Sequence, residues 1–178
     1  MRSDSERSVR LLGLARALLR VVGIAALLAV LAFLLVGGEH PVAAGSKAPP
    51  VTAKALDGAL VDVGLGHGQI TVVNIWGTWC PPCRAEIPDL VRAAHKYQGR
   101  VRFIGLAIDS PVPEIEKLVD RMGIPYDIAR TDSATLDAWG ASSVPDTYIV
   151  DGDGIVRWST RGAIDDKLLD AKLAPVLR

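Results

Sequence analysis

Residues 69–83, QITVVNIWGTWCPPC, run a nearly continuous β-branched segment straight into the only two cysteines of the chain, Cys80 and Cys83, with two prolines between them. An apolar run without polar alternation is expected of a strand buried on both faces. Pro81 and Pro82 suit the first turn of a helix, where a missing N–H leaves no carbonyl without its partner. The helical pattern continues to about residue 98, with Pro88 inside it at a position expected to kink the helix. A C-x-x-C at the seam between a buried strand and a helix puts Cys80 at the helix N-terminus, where the dipole and the free amides favour a thiolate, the nucleophilic form. Cys83 then sits one turn further in, less exposed and close enough to attack a mixed disulfide.

That spacing argues for a bond that is made and broken. A bridge closing so short a loop constrains the unfolded chain little, so a purely structural disulfide is poorly motivated. A metal site would need two more ligands, and His40, His67 and His95 lie far from the motif in sequence, with no second C-x-x-C to complete a zinc site. The thiol pair alone remains a possible adventitious soft-metal site. Neither proline has an N–H to donate toward the Cys80 sulfur, so the thiolate is less stabilised than with other spacers. The expected consequence is a modestly lowered Cys80 pKa and a poise toward reductant, each ~30 mV corresponding to about 1.4 kcal/mol.

Around the motif the chain alternates strands and helices. Residues 51–63 give two short runs about Asp57-Gly58, a hairpin signal. Residues 101–109 read as a second buried strand. In 111–123, Ile115, Leu118, Val119 and Met122 fall at helical spacing before Gly123. A short strand is expected at 126–130, a short helix at 134–140 and two strands at 146–160 around a glycine-rich turn. An amphipathic helix at 165–177 closes the series. This order predicts an α/β domain with a mixed sheet flanked by helices. The DGDG run at 151–154 lacks the later glutamate of a calcium loop and reads as a hairpin turn. GLGHG at 64–68 precedes a strand, so it is no dinucleotide fingerprint. Trp139 and Trp158 read as packing residues. Asp146 reads either as a groove-rim residue that tunes partner choice or as an exposed turn residue.

The N-terminal part is a different material. Residues 21–38 contain no charged side chain and follow Arg2, Arg7, Arg10, Arg16 and Arg20. An apolar helix of about 18 residues rises roughly 27 Å, close to the ~30 Å hydrocarbon core. With the basic flank held in the cytoplasm, everything after it is exported. A cleaved signal peptide ending near 42–44 is the alternative, although the run exceeds the ~7–15 apolar residues of a usual signal core. Either way the rest is placed outside the cytoplasm. The expected division is a cytoplasmic basic N-terminus at 1–20, a transmembrane signal anchor at 21–38, a linker at 39–50 and a folded domain at 51–178. The formal charge of zero hides a basic N-terminus and a mildly acidic remainder, and no basic stripe with interleaved aromatics points to nucleic acid.

WCPPCRAEIP, followed about sixty residues later by SVPDTYIVDGDGIVR, resembles the thioredoxin-fold, membrane-anchored thiol-disulfide proteins of the TlpA/ResA type, which include cytochrome c maturation reductants. The resemblance covers roughly 46–178. It implies a thioredoxin-like fold with an N-terminal β-hairpin and a central helix-strand insertion at 109–130. It also implies Cys80 as attacking and Cys83 as resolving thiol, the two forming a redox-active disulfide. Pro145 takes the place of a cis-proline facing that disulfide, Val144 offers backbone hydrogen bonds to a bound peptide, and Trp79 flanks the site. Asn74 stands where cytosolic thioredoxins have a buried acid. Glu86, on the same helix face as Cys83, matches a functional glutamate and is expected to assist Cys83 deprotonation. The alternative for Glu86 is a solvated helical side chain.

Together these readings give an extracytoplasmic thiol-disulfide oxidoreductase. Its expected substrates are oxidised cysteine pairs in exported proteins, apocytochromes c among them. Its expected donor is a membrane protein of a thiol-disulfide relay. No cofactor is required, because the dithiol itself carries the electrons. The rivals are a disulfide oxidase, marked by a strongly depressed Cys80 pKa, and a non-enzymatic exported Cu(I)-handling protein.

Overall fold

The structure, a computed structural model, describes residues 19–28, 41–63 and 65–178. The chain divides into two units, residues 1–38 and 39–178. In the first, residues 19–28 are helical. No helix among the described residues is long and apolar enough to cross a membrane, and residues 29–38 of the expected anchor lie outside the described set.

In the second unit a hairpin of β1 (Thr52–Lys54) and β2 (Leu60–Asp62) is followed by β3 (Ile70–Trp76), α1 (Pro81–Lys96), β4 (Val101–Ile108), α2 (Val112–Met122) and β5 (Asp127–Thr131). Then come α3 (Ser133–Trp139), β6 (Asp146–Val150), β7 (Val156–Arg161) and α4 (Asp166–Leu173). The strands form one seven-stranded mixed sheet in the order β2-β1-β5-β4-β3-β6-β7. β3, β4 and β5 run parallel, joined by crossovers through α1 and α2, and the remaining pairs are antiparallel. This is the thioredoxin-like arrangement expected from the sequence, with the hairpin at one edge and α2 and β5 as the inserted helix and strand. At the hairpin turn Gly58 takes φ 92 and the Asp57 carboxylate accepts the Ala59 N–H at 2.9 Å, the short-range chemistry that makes Asp-Gly a turn former.

Both faces of the sheet are covered, which is why β3 and β4 read as apolar runs rather than alternations. On one face Val73, Ile75, Ile104 and Leu106 pack with Trp139 of α3 and Tyr148 of β6. On the other, Val72, Phe103 and Ile149 pack with Leu90 and Ala93 of α1 and with Leu169 and Leu173 of α4. A third cluster sits at the C-terminal end of the parallel strands, where Trp76, Ile87, Ala107, Ile115 and Leu118 surround Cys80 and Cys83. Burial of one such Ile or Leu contributes roughly 1.5–3 kcal/mol, so the disulfide stands on rigid ground. Pro88 has no N–H for the carbonyl of Arg84, yet α1 runs through it as one helix from Pro81 to Lys96. Arg92 reaches Asp166 at 2.9 Å, and the Tyr97 hydroxyl donates to Asp170 at 2.8 Å, joining α1 to α4.

At the opposite end the two glycine-rich loops singled out in the sequence meet. A Cβ on Gly66 would lie 2.8 Å from the Gly154 Cα, so the backbones approach as only glycine permits. Asp151 closes the DGDG turn, its Oδ1 accepting the N–H groups of Asp153 and Ile155, each at 2.9 Å. Its carboxylate is thus engaged by the turn, and no cluster of metal-binding side chains occurs among the described residues.

Candidate active site

Cys80 is the N-cap of α1, with extended backbone (φ −90, ψ 111), and Pro81 and Pro82 follow as the first helical residues. The two cysteines form a disulfide with their Cα atoms 5.3 Å apart. An N-cap side chain ordinarily accepts from an amide two or three residues on. Here Pro82 has none to give, so the N–H of Cys83 meets the Cys80 Sγ at 3.2 Å. Cys80 is 3% exposed and Cys83 0%. The order of accessibility follows the expectation, and both sulfurs sit deep.

Across the sheet end, the Val144–Pro145 peptide bond is cis, and the Val144 carbonyl oxygen lies 3.5 Å from the Cys80 Sγ. In the disulfide no S–H exists to donate, so this is a packing contact; in the dithiol the oxygen becomes an acceptor for the Cys80 thiol. Trp79 stands beside them, 56% exposed. Its indole packs against Gly77, where an added Cβ would lie 2.8 Å from the ring. The structure therefore brings Cys80 against Val144, with the exposed Trp79 and the buried Pro145 each next to them in the chain.

Glu86 is buried, 2% exposed, rather than solvated. Its Oε1 accepts from the Asn74 amide at 2.8 Å and its Oε2 from the backbone N–H of Ile164 at 2.9 Å. Asn74 also donates to Thr147 Oγ1 at 3.0 Å, the residue opposite it in the β3–β6 register. Burial pushes the Glu86 carboxyl up to about 7, against the opposing pull of those two hydrogen bonds. A carboxyl held there exchanges its proton at neutral pH, which an asparagine at position 74 cannot do.

Asp146 departs from both readings offered by the sequence. It is 0% exposed, neither a groove rim nor a solvated turn. It opens β6 on the face opposite Thr147, with Arg161 at 3.6 Å and the Tyr148 hydroxyl at 3.4 Å. Burial raises its carboxyl to about 6, partly countered by the Arg161 charge. β6 is an interior strand covered on both faces, and the sequence DTYIV does not announce that its first residue is already inside.

Other residues bonded to this region carried no sequence signal. Ile164 supplies an N–H to Glu86 from 78 positions away. Thr78, just ahead of Cys80, donates to both Ser110 and Glu114. These are common residue types in loops or on a helix surface, and only the three-dimensional approach of α2 to the cysteine turn singles them out.

The chain matches the AhpC/TSA family over residues 44–159. It is 36% identical over 113 residues to the thiol:disulfide interchange protein DsbE of Allochromatium vinosum, covering 62% of this chain and 61% of that protein. It is 31% identical over 139 residues to the thiol:disulfide interchange protein HelX of Rhodobacter capsulatus, covering 75% and 77%. It is 30% identical over 149 residues to the thiol-disulfide oxidoreductase ResA of Geobacillus thermodenitrificans, covering 80% and 85%. Among solved structures, a thiol:disulfide interchange protein of the thioredoxin family from Chlorobium tepidum superposes with a TM-score of 0.67 at 25% identity, over 76% of this chain and 99% of that one. The cysteine pair, the strand-to-helix seam that holds it and these likenesses agree: the chain belongs to the AhpC/TSA family, on its thioredoxin-fold thiol-disulfide oxidoreductase branch.

Proposed function

We propose that this protein reduces disulfides in exported proteins, apocytochromes c among them, as a membrane-tethered reductant outside the cytoplasm. In this reading residues 1–20 remain cytoplasmic, 21–38 anchor the chain and the domain beyond does the chemistry; of the linker expected at 39–50, the part from Val42 to Ala48 is packed on that domain, Val42, Gly45 and Ala48 donating to the carbonyls of Trp139, Val156 and Gly154. The Cys80 thiolate attacks one sulfur of the substrate disulfide, forming a mixed disulfide and expelling the other sulfur as a thiolate that takes up a proton. Cys83 then loses its proton and attacks the Cys80 sulfur. The substrate leaves as a dithiol and the enzyme as a disulfide. Glu86 takes the Cys83 proton, its carboxyl being poised near neutral pH. Val144 and Pro145 bind the substrate backbone, Trp79 covers its side chains, and a membrane protein of a thiol-disulfide relay restores the dithiol.

The direction of electron flow rests on one observation, the poor solvation of the Cys80 sulfur. Of the amides in the first turn only the Cys83 N–H reaches it, because Pro81 and Pro82 have none, and the Val144 carbonyl presents lone pairs from the other side. A thiolate with one amide donor and a facing carbonyl is weakly stabilised, which favours the disulfide form of the enzyme and makes the dithiol a donor. The experiment is an equilibrium titration of the full chain in detergent against a thiol buffer, followed by tryptophan fluorescence. A potential near or below about −230 mV supports the reductant, and one near about −120 mV makes the protein an oxidase and overturns the argument from the prolines.

A further inference from the structure

Thr78, two residues before Cys80, is only 4% exposed, and each of its polar groups is bonded to a different element. Its N–H donates to Ser110 Oγ at 3.0 Å, its hydroxyl donates to Glu114 Oε2 at 2.9 Å, and its carbonyl accepts from Arg84 Nη1 at 3.2 Å. Ser110 donates its own proton to the Ile108 carbonyl at 2.8 Å, which leaves its oxygen lone pairs for Thr78. Between Ile108 and Ser110 the chain passes through Asp109 at φ 46, a left-handed conformation that a residue with a Cβ adopts at a cost. That turn leaves β4 and aims the Ser110 hydroxyl back at the cysteine loop. Below these contacts Ile115 and Leu118 of α2 share one apolar cluster with Cys80 and Cys83. Apolar contact is non-directional and fixes no register; the two hydrogen bonds do.

We propose that Ser110 and Glu114, at the start of the inserted segment, are positioning residues of the redox turn. They hold Thr78, and through it they set how Trp79 and Cys80 face a partner. The proposal rests on the reading that Cys80 is the attacking thiol. It gives the insertion a specific task, fixing the loop whose next residue but one is the helix N-cap. A loop released from α2 lets Cys80 drift from its 3.2 Å contact with the Cys83 N–H, and lets the Trp79 indole leave its seat on Gly77.

The test uses the full chain with Ser110→Ala and Glu114→Ala combined, Glu114→Gln as the conservative variant and Lys117→Ala as a control on an exposed part of the same helix. Three quantities are read: the pH profile of Cys80 alkylation by iodoacetamide in the reduced protein, the ratio of oxidised to reduced tryptophan fluorescence, and kcat and KM separately with a protein disulfide. In the double variant, loss of the equivalent of one hydrogen bond lowers Cys80 alkylation at neutral pH by about fivefold. The alkylation profile moves to higher pH, the fluorescence ratio changes, and KM rises more than kcat falls. Glu114→Gln, whose amide oxygen still accepts from Thr78, restores the wild-type profile, and Lys117→Ala never leaves it. An unchanged alkylation profile and KM in the double variant, or an equal change in Lys117→Ala, overturns the proposal. Should the double variant not fold, Thr78→Val, which keeps the shape and drops the hydroxyl, is read in its place against the same outcomes. A wild-type protein that reduces no disulfide would instead refute the reductant reading, while the alkylation and fluorescence comparisons would still decide the role of Ser110 and Glu114.

Discussion

Glu86→Gln gives the sharpest stability test, because it removes one titration from the interior and little else. In the folded protein burial raises this carboxyl from 4.5 to about 7. Between those two pH values the native state holds a proton that the unfolded chain has released. Stability from this group is therefore fully present below about pH 4.5 and is lost as pH rises through about 7. At about 1.36 kcal/mol per pH unit, the cost of ionising Glu86 in place is about 3 kcal/mol by pH 8. Glutamine matches the neutral acid in size. Its oxygen accepts the Ile164 N–H, and its amide donates to Asn74 if the Asn74 side chain turns its oxygen inward, where the Thr147 hydroxyl can also donate to it. Urea unfolding of the oxidised wild type and variant from pH 4 to 9 is the assay. The two curves should lie within about 1 kcal/mol of each other at pH 4. At pH 8 the variant should be more stable by about 3 kcal/mol, or roughly 10 °C in Tm. Asp146 is present in both proteins, so its own titration largely cancels. Parallel curves across the whole range would refute a neutral, buried Glu86, and with it the proton role proposed for this residue.

The same variant should slow turnover and shift the Cys83 pKa if Glu86 takes that proton, as measured by stopped-flow resolution of a mixed disulfide across pH 6–8. Cys83→Ser should trap substrates on Cys80 as stable mixed disulfides, visible on non-reducing gels, whereas Cys80→Ser should trap none. Asp146→Asn should flatten the loss of stability between about pH 4 and 6, by at most about 3 kcal/mol, since burial raises that carboxyl from 3.8 to about 6 and across that window the native state keeps a proton that the unfolded chain has released. Gly105→Ala should destabilise the fold by about 1–3 kcal/mol and perturb Trp76 fluorescence, because the new Cβ would lie 2.5 Å from Ile128 Cδ1 and 2.9 Å from the Trp76 indole nitrogen.

The order of elements was legible because each is written locally. Strand β3 announces itself by its unbroken β-branched run, α1 by Pro81 and Pro82 at its opening, α2 by Ile115 and Leu118 at helical spacing before Gly123, and the hairpin by Asp57-Gly58. A family resemblance supplied what spacing could not, the pairing of the cysteine motif with Val144 and Pro145 some sixty residues on. Asp146 was misread because alternation says which residues share a face, not how deep a strand end lies. The resemblance drew attention to Glu86, but its burial depends on Ile164 and Asn74, residues that no local pattern links to it.

What the sequence determined by itself, then, is where the redox pair sits and why its first sulfur is poorly solvated, since helix capping and the missing proline amides act over three residues. What the tertiary structure alone decided is the chemistry of the groups around that pair. The Glu86 carboxyl is raised because β3, β6 and the Ile164 backbone enclose it, and Thr78 is held because α2 comes down upon the cysteine loop. Desolvation and hydrogen bonding between distant segments depend on which atoms arrive together in space, and that is settled only when the sheet has closed.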